Sequence, residues 1–165
     1  MTITREFYWC PWPLLRLGQD LSRLTFRVHT CSIPVVKTTY YDLCVNITDL
    51  LDPQLIGSGV QIIGASYIPS VEVNGVDNTL FVHHLAAFRI PGTCDPPGSR
   101  AQQSPVFYAW GPGTGPVVLL EKAGFPIAGD SYYFALAMNI HYDNCNGVPD
   151  RVDSTAIKVY YVKEK

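Results

Sequence analysis

The chain is short of charge. Asp, Glu, Lys and Arg make up 16% of its 165 residues, and the formal net charge is −2. A soluble domain usually carries nearer a quarter. Without a basic field, nucleic acid is not an expected partner. No apolar run approaches the ~18 residues of a spanning helix, so no transmembrane segment is expected. None of the five cysteines (Cys10, Cys31, Cys44, Cys94, Cys145) forms a Cys-x-x-Cys pair, which removes the usual zinc-ribbon spacing. Gly113-Thr114-Gly115 lacks the strand–loop–helix context and the Lys-Ser/Thr of a phosphate loop. No Gly-x-Ser-x-Gly elbow occurs. Residues 1–17 place Arg5, Glu6 and Arg16 among aromatics and prolines, unlike the apolar core of a secretory leader. A removed leader, a fragment, or a cytosolic protein with free thiols each fits that start.

Apolar residues are abundant at 47%, and 13 Gly and 13 Pro punctuate them. Length points to one domain with a real core. Short strands and turns fit this composition better than helices. Residues 1–32 read poorly: Cys10-Pro11-Trp12-Pro13 breaks regular structure, 14–24 carries a short helical pattern, and Thr25–Thr30 reads as a strand. His29 in it reads as an ordinary, partly exposed residue. Strands are then expected over 40–47, 60–69, 80–90, 106–110, 117–120, 131–143 and 153–162, with Val71–Val73 before an Asn74-Gly75 turn. Leu50–Gly59, Gly124–Asp130 and Asn144–Val152 read as turns. The fold class is therefore all-β, an antiparallel β-sandwich or jelly roll of about eight or nine strands. In the long strand 131–143, Tyr132, Phe134, Leu136, Met138 and Ile140 share one face, which puts Met138 in the core and His141 on the other face.

His83 and His84 stand together in the apolar run Leu80–Phe88. Two imidazoles in such a run need partners for four ring nitrogens, and a metal ion is an economical one. Strand neighbours point to opposite faces. Two adjacent ligands on one ion thus imply a strand end, a bulge, or ligation through the nearer ring nitrogen. One packed and one solvent-facing His is the plain alternative. If strand 131–143 lies beside this one, His141 joins the pair, and three imidazoles suit zinc or copper. Asp143 shares the face of His141 and reads either as an acceptor orienting a ligand ring or as a turn residue. The widely spaced cysteines suit long-range disulfides in an oxidising compartment, and the Asn46-Ile47-Thr48 sequon agrees with secretion.

An ordered set of segments now resembles one family. Ile33-Pro34, Thr38-Thr39-Tyr40 and Cys44 come first. Leu80-Phe81-Val82-His83-His84-Leu85 follows, then Tyr108-Ala109-Trp110, Ala123-Gly124, Pro126-Ile127 and Gly129. Asn139-Ile140-His141-Tyr142-Asp143-Asn144, Asp153-Ser154 and Ile157–Tyr161 complete it. Residues 33 to 162 resemble the first catalytic domain of the copper type II, ascorbate-dependent monooxygenases, which include dopamine β-hydroxylase and peptidylglycine α-hydroxylating monooxygenase. The dopamine β-hydroxylase branch is the nearer. The division implied is an unassigned segment 1–32 and a copper domain 33–165.

The resemblance implies a β-sandwich in which His83, His84 and His141 bind an electron-transfer copper, with ascorbate as reductant. It implies a Cys44–Cys94 disulfide, while the cysteines and the sequon give the expectation of a secreted or secretory-pathway location. It implies a second copper centre as partner, on a following domain or another chain, and a small-molecule or peptide substrate. No later His-x-His exists and Met138 does not match the missing ligand, so hydroxylation by this chain alone is not expected. Ile90 replaces a cysteine frequent in the family, and the turn at Gly113 lacks its charges. Cys10, Cys31 and Cys145 have no counterpart, and pairing Cys10 with Cys31 would leave Cys145 odd. The readings from other classes are a non-catalytic copper-binding redox module and a metal-free interaction sandwich with Tyr67, Tyr132 and Tyr133 on its binding face.

Overall fold

A computed structural model describes residues 23–28, 31–69, 77–94, 104–120 and 123–163. His29, Cys10, Thr30, Val71–Val73 and the helical pattern at 14–24 up to residue 22 lie outside them; its last two residues, Arg23 and Leu24, begin a strand instead. Among the described residues eleven strands form three antiparallel sheets: β1 (Arg23–Arg27), β2 (Cys31–Ser32), β3 (Thr38–Asn46), β4 (Val60–Ile68), β5 (Val82–Pro91), β6 (Val106–Trp110), β7 (Val117–Val118), β8 (Phe125–Ile127), β9 (Tyr133–Asp143), β10 (Val152–Asp153) and β11 (Ala156–Lys163). One sheet runs β1-β11-β4-β7, with β8 also on β4; a second runs β3-β9-β5-β6; β2 and β10 pair alone. The expected all-β sandwich is the observed architecture.

Alternation in the sequence decides which faces meet. Leu136, Met138 and Ile140 of β9, Leu85 and Ala87 of β5, and Tyr41 and Val45 of β3 point inward, onto Phe26, Val60, Ile62, Ile157 and Val159 of the opposite sheet. Met138 is thus core. Tyr67 of β4 stacks on Trp110 of β6 between the layers, with ring centroids 3.7 Å apart, so Tyr67 is no part of an exposed binding face. The outer face of the β3-β9-β5-β6 sheet carries a smaller apolar cluster of Phe88, Ile90, Ala135 and Ala137, with Cys44 and Cys94 against it.

Several local expectations are corrected. A helix, α1 (Pro53–Ser58), occupies part of the turn-rich stretch; Asp52 caps it, accepting from Gln54 N at 2.8 Å, and Pro53 opens it. Phe125–Ile127 pairs with Val60–Ile62 as a strand instead of turning. The last expected strand is broken: β10 ends at Asp153 and β11 begins at Ala156. Leu80 and Phe81 belong to a 3-10 turn before β5, and Leu80 is exposed. Tyr132 precedes β9 and is exposed, so it does not share the core face with Leu136. No helix among the described residues is long and apolar enough to cross a membrane.

Candidate metal centre

The pattern Val82-His83-His84-Leu85 sets the site. Val82 and Leu85 are both buried, at 2% and 1% exposure. Three positions apart, a regular strand would send them to opposite faces. The chain resolves this with a bulge: Val82 pairs with Tyr142, His84 pairs with His141, and His83 is the extra residue between. Both apolar residues therefore enter the core, and the two imidazoles come to one side.

Register brings the third. His141 lies opposite His84 on one flank and opposite Tyr40 on the other. The Nδ1 atoms of His83 and His84 are 2.9 Å apart, and those of His84 and His141 are 3.2 Å apart. Ligand atoms of the three rings all lie within 4.8 Å of one another. Two nitrogens each about 2.0 Å from one tetrahedral ion would be about 3.3 Å apart. Two of the three nitrogen pairs, both through His84, thus already stand near the spacing of a shared metal. Among the described residues no other group of three such side chains forms. His83 is exposed, His84 and His141 half-buried, so the site opens outward from the sheet.

The electrostatics suit ligands that must be neutral. Burial, then the neighbouring His83, holds the pKa of His84 below the ordinary imidazole range. Burial lowers His141 too, followed by the charges of His84 and His83, and Asp143 partly opposes the shift. His84 and His141 thus resist protonation and leave their Nδ1 lone pairs for a cation. Tyr40 stacks on the His141 ring, with centroids 4.5 Å apart and planes 12° apart. His141 Nε2 is buried without a hydrogen-bond partner. Asp143 therefore does not accept from that ring; its Oδ1 accepts from the Cys145 thiol at 2.7 Å. Of the two readings of Asp143, charge at a distance beside a turn is the observed one.

The next residue secures β9 from inside. The Tyr142 hydroxyl donates to Asp153, which is fully buried and also accepts from Thr155 N at 2.7 Å. Sequence reasoning missed Tyr40 and Tyr142. Tyr40 is legible only once β3 and β9 are in register, and the signal for Tyr142 is its position inside the Val82–Tyr142 pair.

Cys44 and Cys94 form a disulfide. Cys31 is also disulfide-bonded, whereas Cys145 is free and exposed. Ile90 of β5 is packed into the outer apolar cluster. No protein-family model matches the chain.

Proposed function

We propose that this chain is the electron-transfer copper domain of an ascorbate-dependent monooxygenase and works in the secretory pathway. The observation that carries the reading is the convergence of three Nδ1 atoms at the β5 bulge, within segments that resemble that family in order and spacing. His83, His84 and His141 would hold the ion; copper there supplies one-electron redox chemistry, with ascorbate as reductant. Imidazole donors suit zinc as well as copper, and the choice of copper follows the resemblance. The chain's own contribution is a site with two imidazoles held below the ordinary range and a third, His83, facing solvent, on an antiparallel sheet. The Cys44–Cys94 bridge agrees with an oxidising compartment.

A second reading has its own support. The sequence has four histidines, and three are in this cluster. A second copper centre of two His and a Met cannot be assembled from what remains. A copper-binding redox module that does not hydroxylate by itself is the outcome unless another domain or chain supplies that centre. One experiment separates the readings. Copper stoichiometry and spectroscopy are compared for wild type and the His83→Ala/His84→Ala double variant, and the loaded protein is then given ascorbate with tyramine or a glycine-extended peptide. One nitrogen-ligated, ascorbate-reducible copper establishes the site; product formation decides between hydroxylase and module. No copper above the variant's background would leave a metal-free sandwich.

A further inference from the structure

The Asn46-Ile47-Thr48 sequon is not absorbed by the metal site, and its placement in the fold is informative. Asn46 ends β3, which among the described residues is an edge strand paired only with β9. Its side chain is half-buried, and its two polar atoms differ. Oδ1 accepts from Cys94 N at 3.0 Å, next to the Cys44–Cys94 bridge. Nδ2 has no acceptor among the described residues, and it is not one of the buried unpartnered nitrogens. The carboxamide is anchored through its oxygen, and its nitrogen carries no hydrogen bond to a described residue. Thr48, the other recognition residue of the triplet, is exposed in the 3-10 turn that follows.

From this geometry we infer that Asn46 is an N-glycosylation site whose product the folded domain accommodates. The donor class is a lipid-linked oligosaccharide pyrophosphate. A bond forms between Asn46 Nδ2 and the anomeric carbon of the first sugar. The bond from that carbon to the pyrophosphate oxygen breaks, the lipid pyrophosphate leaves with the electron pair, and one amide proton passes to a base of the transferase. The hydrogen bond to Oδ1 survives, because the modified nitrogen takes no part in it. The glycan then stands beside β3, the edge of its sheet among the described residues, and an edge strand invites association with another chain. Tyr40 and Asn46 lie six residues apart on the same face of β3, about 20 Å at 3.3 Å per residue, so the histidine end stays uncovered.

The test is expression of the full chain behind a cleavable leader in eukaryotic cells. Formation of the Cys44–Cys94 bridge in the secreted product shows passage through the oxidising lumen independently of any sugar. Enzymatic deglycosylation is expected to shift the wild type by one glycan step and convert Asn46 to Asp in the peptide mass. Thr48→Ala removes the sequon, leaves Asn46 and its bond to Cys94 intact, and is expected to abolish the shift while the bridge still forms. Asn46→Gln removes acceptor and anchor together. Secreted, bridged wild type with unmodified Asn46 would overturn the inference, as would a shift that persists in Thr48→Ala. The outcome is independent of whether the histidines bind copper.

Discussion

Two neighbouring rows of one sheet make opposite use of the same backbone. Tyr41, Ile140 and Leu85 form one row across β3, β9 and β5; Tyr40, His141 and His84 form the next. They differ by a single step along each strand. The first row is buried and closes the sandwich core, with Ile140 wholly inaccessible. The second faces away from that core, and Tyr40 in it is 42% exposed. The alternation that builds the core therefore delivers the chemistry to the other face at no cost in packing. Fold and site should be separable by mutation along a single strand.

The largest expected effect is on the outer row. His141→Ala should take metal binding from one ion per chain to background, because two imidazoles remain where three converged. Thermal unfolding of the apo-protein should change little, since His141 is half-buried and its Nε2 satisfies no partner. Metal analysis beside calorimetry checks both. One step along β9 the balance inverts. Ile140→Ala should cost about 2–5 kcal/mol in denaturant unfolding, the range for truncating a buried aliphatic side chain. Folded Ile140→Ala should still bind one metal. Full metal binding by His141→Ala, or a loss confined to Ile140→Ala, would break the comparison.

The outer face is not wholly dispensable, and its far end shows why. There Phe88, Ile90, Ala135 and Ala137 pack under Cys44 and Cys94. The bridge joins positions 50 residues apart, for which the chain-entropy account gives about 4 kcal/mol. Cys44→Ala should lower stability by roughly 2–4 kcal/mol and leave the metal affinity of the folded protein close to wild type. A large affinity loss in that variant would show that the two ends of the face are coupled.

Much of this was legible beforehand. Alternation in 136–140 located the core face, and the adjacent histidines implied a strand end, a bulge or ligation through the nearer ring nitrogen; the structure shows a bulge at the start of β5, with the two Nδ1 atoms facing each other. The Val82-His83-His84-Leu85 pattern in fact encodes the bulge, since only an extra residue buries both apolar ends. What composition and period could not supply was pairing. That β9 lies between β3 and β5, and so sets Tyr40 on His141, is a long-range fact. The short elements escaped for local reasons. In α1 the Asp52-Pro53 start outweighs Gly57, and Phe125–Ile127 becomes a strand because β4 has a free flank for it.

Acid should act on the outer row. Metal binding requires neutral imidazoles. Because His84 and His141 are held below the ordinary range near 6.5, protons compete only at lower pH. Binding should be complete at pH 7 and fall away below about 6.5, at lower pH than for unperturbed imidazoles. The folded apo-protein binds fewer protons at these rings than the unfolded chain, so its stability should also decline as pH drops through the same window. A metal-retention curve against pH measures the first effect; a midpoint at or above the ordinary imidazole value would contradict the assignment of these rings as buried, mutually repelling ligands.

The smallest expected effect is at Tyr40. Its ring lies nearly parallel to His141, and such a contact is worth about 0.5–1.5 kcal/mol beyond its buried area. It holds the His141 ring, one of the three candidate ligands. Tyr40→Ala should therefore leave one metal per chain and weaken affinity only modestly, within about tenfold. Tyr40→Phe keeps the ring and should restore wild-type affinity if stacking alone matters. An equal loss in both variants would shift the role to the hydroxyl. The outer row would then include a polar contact to the metal or its bound molecules, and its division from the core row would be sharper than packing alone implies.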